Sequence, residues 1–243
     1  MKKLLALLFI IALFMFSTAL AGSISYPVDI NTAFPDPIFR AYVKDRISDD
    51  DELSQAEAEG VTEIYVYSKG ISSLKGIEYF ANLELLGCLD NHLNTLDLSN
   101  NTKLLELICG DNNLSTLDVT KNTKLTVLHC FKNNLNGLNL GNNTDLEILG
   151  CSNCNLSTLD VTKNTKLLML WCHDNQLSTL DITKNTNLLR LYCSDNENLN
   201  TLNFGNNTDL EILGCSNCNL STLDVTKNTK LEQLYCDINN LSA

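Results

Sequence analysis

The chain is short of basic residues and nowhere concentrates them. It has 17 lysines and arginines against 29 aspartates and glutamates, a formal net charge of -12. Nucleic acids and anionic membrane surfaces select basic patches, so the sequence argues against both as partners. A glycine-rich phosphate loop, a His-x-x-His pair and a Gly-x-Ser-x-Gly elbow are also missing from it. We therefore expect neither an enzyme nor a bound cofactor.

Proline is rare, and all three prolines fall within residues 22–60, a segment without cysteine. Asp36 can cap a helix that has Pro37 at its first position. Ser54 and Glu57 form a capping-box pattern, and Gly60 can end the short helix that follows. We therefore predict a small helical N-terminal cap over residues 22–60.

The first 21 residues have the organisation of a signal peptide. Lys2 and Lys3 precede an apolar run over residues 4–16, and Ala19-Leu20-Ala21 supplies the small residues of a cleavage site. The run is shorter than the ~20 residues of a spanning helix. We predict secretion, with a mature chain that begins near Gly22 and does not span a membrane; a retained N-terminal anchor is the alternative.

From Leu83 onward the sequence repeats every 21 residues. The repeats follow L-x-x-L-x-C-x-x-[NC]-x-L-x-x-L-[DN], then an apolar residue and, near the end, Asn-Thr. They begin at Leu83, Leu104, Leu125, Leu146, Leu167, Leu188, Leu210 and Leu231, and the Leu188 repeat has one extra residue. An earlier repeat over residues 61–82 keeps the apolar spacing without cysteine, and residues 141–167 recur unchanged at 205–231. The repeat domain thus spans residues 61–243, about eight and a half repeats, whose positions we number from the first leucine.

This pattern resembles the leucine-rich repeat. Cysteine at position 6, followed by L-x-x-L-D-V-T-x-N-T, resembles the internalin J type of secreted bacterial surface protein. The stretch from Phe34-Pro35-Asp36 to Gly76-Ile77 is similar to the cap and first repeat of related secreted proteins. The resemblance implies an α/β-type leucine-rich-repeat solenoid with a curved parallel β-sheet, a convex side of short irregular or β segments, and a helical cap. It also implies an adhesin-like binding role, outside the cell or at its surface.

Equivalent side chains of such a solenoid stack in columns, because neighbouring strands lie ~4.8 Å apart. We expect the position-6 column to be a ladder of buried free thiols, which behave as small apolar groups. Disulfides between neighbours are the alternative that secretion permits, but parallel side chains hold the Cβ atoms too far apart. The column is Cys88, Cys109, Cys130, Cys151, Cys172, Cys193, Cys215 and Cys236.

Asparagine dominates position 9, where the chain turns off the strand and its amide can satisfy buried backbone groups. The column is Asn91, Asn112, Asn133, Asn175, Asn196 and Asn239. Cys154 and Cys218 replace asparagine there, and we expect structural substitutions rather than a metal site, since the two Cys-x-x-Cys pairs lie three repeats apart. The Asn-Thr pairs near the repeat ends, such as Asn164-Thr165, are expected to form turns whose polar side chains bond the local backbone.

Positions 3, 5, 7 and 8 point outward and would form the concave face. The candidate binding residues on it are Trp171, Tyr192, Phe131, Tyr235, His129, His173, Met169 and Arg190. Trp, Tyr and Arg are the usual anchors of protein interfaces, and flat aromatic faces also stack on sugar rings. We predict a protein or glycan partner, on a host cell as the adhesin-like relatives imply; placement of the aromatics by β propensity alone is the alternative.

Two further features bear on function. The acidic run Asp49-Asp50-Asp51-Glu52 lacks the glycine and the spaced oxygens of a calcium loop, so a solvated loop is expected. The chain stops at Ala243 partway through a repeat, and an open parallel edge invites self-association. A structural or envelope-organising protein without a specific ligand is the second hypothesis beside a binding module.

Overall fold

The computed structural model describes residues 24–242. The predicted signal peptide and its cleavage site therefore lie outside the described residues. In the described part, no helix combines the length and the apolar character that a membrane crossing requires.

The N-terminal segment contains three short helices, α1 (Ile30–Ala33), α2 (Pro37–Arg46) and α3 (Gln55–Gly60). Strands β1 (Val28–Asp29) and β2 (Glu52–Leu53) pair antiparallel beside them. Asp36 caps α2, and Ser54 with Glu57 forms the capping box of α3. Both caps are those that the sequence predicts.

Asp36 also ties the helices to the first repeat. One carboxylate oxygen caps α2, while the other accepts hydrogen bonds from the backbone N–H groups of Ser72 at 2.8 Å and Ser73 at 3.2 Å. Burial raises the pKa of Asp36, but its backbone N–H donors outweigh this and lower the pKa below the usual value. The carboxylate is therefore held in its charged form between cap and repeat.

Aromatic packing closes the same junction. The Phe34 ring lies 5.6 Å from Phe39 and 6.0 Å from Phe80, centroid to centroid. Gly76 has φ 103°, and a Cβ there would lie 2.4 Å from Phe34 Cδ1. Only glycine lets the backbone approach the ring so closely.

The repeats form a nine-stranded parallel sheet. Its strands, in spatial order, are β3 (Glu63–Tyr65), β4 (Leu85–Gly87), β5 (Glu106–Ile108), β6 (Val127–His129), β7 (Ile148–Gly150), β8 (Met169–Trp171), β10 (Arg190–Tyr192), β12 (Ile212–Gly214) and β13 (Gln233–Tyr235). On the convex side, β9 (Thr179–Asp181) pairs with β11 (Thr201–Asn203), and a 3₁₀ turn spans Ile77–Tyr79. The predicted solenoid with its parallel sheet is confirmed.

The strands have identical register: each position-4 leucine pairs with the position-4 leucine of the next repeat. Positions 1, 4 and 6 point into one continuous core. All ten cysteines are free, and only Cys236, in the last repeat, is not fully buried. Burial raises the pKa of Cys88 and of Cys215 to about 12. The pKa values of the five column thiols between them are raised as well, so these seven thiols stay protonated at neutral pH.

The position-9 asparagines each bridge two repeats. Asn112 Nδ2 donates to the carbonyls of Cys88 at 3.0 Å and Cys109 at 3.2 Å, while its Oδ1 accepts from Leu93 N at 3.0 Å. Cys154 replaces the donor only, since its Sγ lies 3.1 Å from Cys130 O. The substitution thus keeps part of the hydrogen bonding, as a structural role requires.

A second column of buried asparagines runs along position 19, where turns with local side-chain bonds were expected. The column is Asn101, Asn122, Asn143, Asn164, Asn185, Asn207 and Asn228. The turns are present, but the expected local side-chain bonds are wrong, because each amide donates to the preceding repeat: Asn143 Nδ2 lies 3.1 Å from Val119 O and 2.9 Å from Asn122 O. The turn itself is closed by backbone bonds, such as Asn143 N to Leu140 O at 3.0 Å, which leaves the side chain for its neighbour.

We predict that native thiols resist modification. In the unreduced native protein, the seven column thiols from Cys88 to Cys215 should react slowly with a thiol reagent at pH 8, because they are buried and their pKa values are raised. The partly exposed Cys236 should react first. In denaturant, ten equivalents should react at once, one for each free cysteine. Recovery of few thiols in denaturant would mean that the ladder is disulfide-bonded.

We also predict that Asn143→Ala lowers the free energy of unfolding by about 1–3 kcal/mol, because two buried carbonyls lose their donor. Asn142→Ala is the matched control, since that exposed side chain donates to Thr120 O at the surface; its effect should stay within about 0.5 kcal/mol. Urea denaturation followed by circular dichroism measures both. Equal effects of the two variants would argue that the buried asparagine column at position 19 does not stabilise the fold.

Candidate functional site

The outward strand positions carry the predicted binding residues on one continuous face. Position 3 holds Met169 and Arg190, position 5 holds His129, Trp171, Tyr192 and Tyr235, and position 7 holds Phe131 and His173. They point away from the core because the alternate positions 4 and 6 point into it. All are half-buried except Tyr235, which is exposed.

Four of these rings contact one another. The Trp171 ring lies 6.3 Å from Tyr192, nearly parallel at 7°, and 5.9 Å from His129. The His129 ring in turn lies 6.4 Å from Phe131 in an edge-to-face arrangement. The rings therefore form one aromatic strip over strands β6, β7, β8 and β10.

Gly150 makes the contact between His129 and Trp171 possible. These two residues sit on strands either side of β7, in register with Gly150, so their backbones are separated by ~10 Å. A Cβ on Gly150 would lie 2.5 Å from His129 Nδ1. Without that Cβ, the imidazole lies across the glycine and reaches the indole.

A depression of about 350 Å³ opens beside this contact. Gly150 on β7 and Ser152 just after it contribute to the lining, between Phe131 on one side and Trp171 and His173 on the other. Its lining also includes Lys132, Asn153 and Asp174. An apolar wall with a few polar groups is the usual composition of a recognition pocket.

Ser152, His173 and Asp174 lie together in this depression, which raises the question of nucleophilic chemistry. Ser152 Oγ lies 3.0 Å from His173 Nδ1, but His173 Nε2 is 3.8 Å from Asp174 Oδ2. The second distance is too long for the hydrogen bond that orients a catalytic histidine. The contact between Ser152 and His173 instead fixes the position of the imidazole on the binding face.

Sequence reasoning missed the role of glycine on this face. Position 5 is glycine in every third repeat, at Gly87, Gly150 and Gly214. In each case a neighbouring ring lies close: Cβ atoms on Gly87 and Gly214 would lie 2.3 Å from Tyr67 Oη and 3.2 Å from Tyr192 Cδ1. The regular spacing of these glycines beside aromatic residues is the sequence feature from which their role, leaving space for a neighbouring ring, could have been predicted.

The structure does not bring every predicted residue into the strip. Tyr235 lies beyond Gly214 on the last strand, and its hydroxyl bonds Gln233 Oε1 at 3.1 Å instead. Met169 and Arg190 are adjacent in register and border the strip along position 3. A separate groove of about 580 Å³ lies between α2 and the first repeat, and Tyr65 contributes to it.

In the described residues, no group of three or more His, Cys, Asp or Glu side chains has a metal-binding arrangement. In the acidic run, Asp51 pairs with Lys44, and Asp50 Oδ1 accepts from Glu52 N at 2.7 Å. Part of the run is therefore engaged within the cap.

The strip provides its own pH probe, because Trp171 is the single tryptophan of the chain. Burial lowers the pKa of His129 below the ordinary histidine value of 6.5, although Glu106 raises it in part. We predict that Trp171 emission falls on acidification with a midpoint below 6.5, since a protonated imidazole quenches a neighbouring indole. Folding stability should decline over the same range, because the unfolded chain takes up this proton first.

His129→Gln should remove that titration, whereas His92→Gln, at an exposed site outside the strip, should leave it intact. An emission midpoint above the ordinary histidine value of 6.5, or a midpoint unchanged by His129→Gln, would contradict the contact between His129 and Trp171.

No family model matches the chain. The functional domain of InlJ from Listeria monocytogenes, whose structure includes a cysteine ladder, superposes with a TM-score of 0.86 at 35% identity over 91% of this chain and 50% of that one. An internalin, inlF, from the same species has a TM-score of 0.68 at 26% identity, over 90% of this chain and 74% of that one. Internalin H of Listeria monocytogenes is 32% identical over 76 residues, 30% of this chain and 14% of its own length.

The chain thus spans half of the InlJ chain and a small part of Internalin H. The similarity to InlJ covers 91% of this chain at 35% identity, and the InlJ structure, like this one, contains a cysteine ladder. The repeat array is therefore a leucine-rich-repeat solenoid that resembles the internalin J type, with 21-residue repeats and a cysteine ladder.

Proposed function

We propose that this protein is a binding module that works outside the cell or at its surface, and that its concave face recognises a protein or glycan partner. The observation that carries the proposal is the aromatic strip: Phe131, His129, Trp171 and Tyr192 in mutual contact and half-exposed on a rigid sheet. The similarity to internalins supports a binding role of the adhesin type.

Physical chemistry favours recognition over chance for these rings. Large aromatic side chains are the residues that dominate interface energetics, and they do so when they sit near the centre of a contact surface. Trp171 is on the sixth of nine strands in spatial order, close to the middle of the sheet. A contiguous apolar surface left without a partner promotes aggregation.

The sheet also holds the rings before any partner arrives. Trp171 and Tyr192 stand on strands paired in register, and His173 is fixed by its contact with Ser152. A face that is ordered in advance loses little side-chain entropy on binding. The depression over Gly150 adds a recess into which one group of a partner can insert.

Binding of labelled protein, residues 22–243, to intact animal cells and to a glycan panel tests the proposal. The Trp171→Ala/Tyr192→Ala double variant should bind at least ~10-fold more weakly, because loss of two anchors exceeds ~1.4 kcal/mol. A convex-side double variant, Thr158→Ala/Thr179→Ala, is the matched control, since both threonines are exposed on the opposite surface.

Saturable binding that only the concave variant loses supports the module and shows whether protein or glycan is read. Binding that is indifferent to the concave variant, with both variants folded by circular dichroism, would favour a structural or envelope-organising protein without a specific ligand.

A further inference from the structure

Two rows of carboxylates border the aromatic strip. One row occupies position 2, just before the strands, and the other position 8, just after them. The rows are Glu84, Glu147, Glu211 and Glu232, and Asp90, Asp111, Asp174 and Asp195. All eight side chains are exposed or half-exposed. On the strands of the strip itself the two rows contribute Glu147, Asp174 and Asp195, with Lys132 as the one cation in them, and the other five carboxylates continue the rows along the sheet. We call the two rows the acidic margins.

Few of these charges are neutralised by the protein itself. Of the six ion pairs among the described residues, two reach the margins: Lys132 with Asp111 at 3.4 Å, and His173 with Asp174 at 3.8 Å, which is an ion pair only when His173 is protonated. Other lysines pair elsewhere, as Lys166 does with Asp145 at the end of the preceding repeat. The four position-2 glutamates take part in none of the six pairs, although Glu147 and Glu211 contribute, after Asp145 and Asp209, to the raised pKa values of Lys166 and Lys230.

The arrangement costs stability in the unbound protein. Asp90 and Asp111 follow adjacent strands, as do Asp174 and Asp195, so each pair of like charges stands one strand spacing apart, ~4.8 Å along the sheet. Like charges directly opposite one another on neighbouring strands are destabilising. Asparagine occupies the same position at Asn153 and Asn217, so the backbone turn there does not require a carboxylate.

The bordered surface has the size of a protein interface. Nine strands span about 40 Å along the solenoid, and positions 2 to 8 span about 20 Å across it, given strand spacing and rise per residue. That area is near the ~800 Å² that each partner contributes to a standard protein complex. A single sugar or short oligosaccharide would cover only a part of it.

We propose that the partner is a protein whose contact surface places lysines and arginines around an aromatic or aliphatic anchor. This inference rests on the proposed function and specifies its ligand. The anchor contacts the strip at Trp171, and the cations face the two acidic margins. Such complementarity speeds association and rejects acidic competitors, whereas a neutral glycan forms no ion pair with the margins and an acidic one is repelled.

Three synthetic peptides without tryptophan test the inference. Each carries the same tyrosine and leucine anchors on a Gly-Ser spacer, and the remaining positions are all Lys, all Ser or all Glu. Trp171 emission reports binding, since no other tryptophan is present. The Lys peptide should bind at least ~10-fold more tightly than the Ser peptide near ~50 mM salt, and most of that advantage should vanish near ~500 mM.

Two variants with four substitutions each distinguish the effect of where the charges lie from the effect of net charge. Glu147→Gln/Glu211→Gln/Asp174→Asn/Asp195→Asn neutralises the margins. Asp118→Asn/Asp160→Asn/Asp181→Asn/Asp224→Asn removes as many charges from the convex side, where Asn139 and Asn203 already occupy the equivalent position. In the first variant, the affinity for the Lys peptide relative to the Ser peptide should fall at least ~10-fold. In the second variant, this ratio should fall less than ~2-fold.

Equal losses in the two variants, equal binding of the three peptides, or no binding of any peptide would each overturn the inference. The proposed function is judged separately: cell or glycan binding that depends on Trp171 and Tyr192 would leave the concave-face module standing even if the charge preference fails.

Discussion

Each repeat turns where its strand ends, and the backbone N–H and C=O groups at this turn are buried. They must therefore find hydrogen-bond partners within the protein. Asparagine side chains supply these hydrogen bonds at two turns of each repeat, at positions 9 and 19. At position 9, Asn112 bonds carbonyls and an amide of two successive repeats. At position 19, Asn122 donates to Leu98 O at 3.1 Å and Asn101 O at 2.9 Å. The two columns fix each repeat against the one before it, and the strand register follows.

That fixed register determines what the concave face can be. Because the strand residue Trp171 pairs in register with Tyr192 and with Gly150, the backbone positions of the rings on this face are fixed by the sheet and do not lie on adaptable loops. Variation at the outward positions then changes the surface without disturbing the core, which the inward leucines and cysteines fill. Glycine in every third repeat uses this freedom, since it opens space for the ring of a neighbouring repeat.

Much of this architecture could be predicted from the sequence, for a physical reason. A 21-residue period with apolar residues at constant positions leaves one solution, a stacked solenoid. The position-9 asparagine falls where the strand ends, between the inward cysteine of position 6 and the leucine of position 11. The burial of the asparagine at position 19 could not be predicted in this way. Asn122 and Asn164 stand among lysines and threonines typical of exposed turns, and their burial comes from how each turn packs on the previous one.

The aromatic contacts were only partly accessible. Alternation placed Trp171 and His129 on one face, but which rings touch depends on side-chain torsions and on the missing Cβ of Gly150. The same alternation placed Tyr235 on that face, although Gly214 separates it from the strip. Position on a strand can be derived from periodicity, whereas contact requires the structure.

The central claim is that partners contact the concave face, and site-specific photo-crosslinking tests it most directly. A benzophenone amino acid would replace Met169, beside the strip, or Thr158, on the convex side, and each protein would be irradiated on intact animal cells. We predict crosslinked complexes from position 169 and none from position 158. Crosslinks from position 158 alone, or equally from both, would contradict recognition by the concave face.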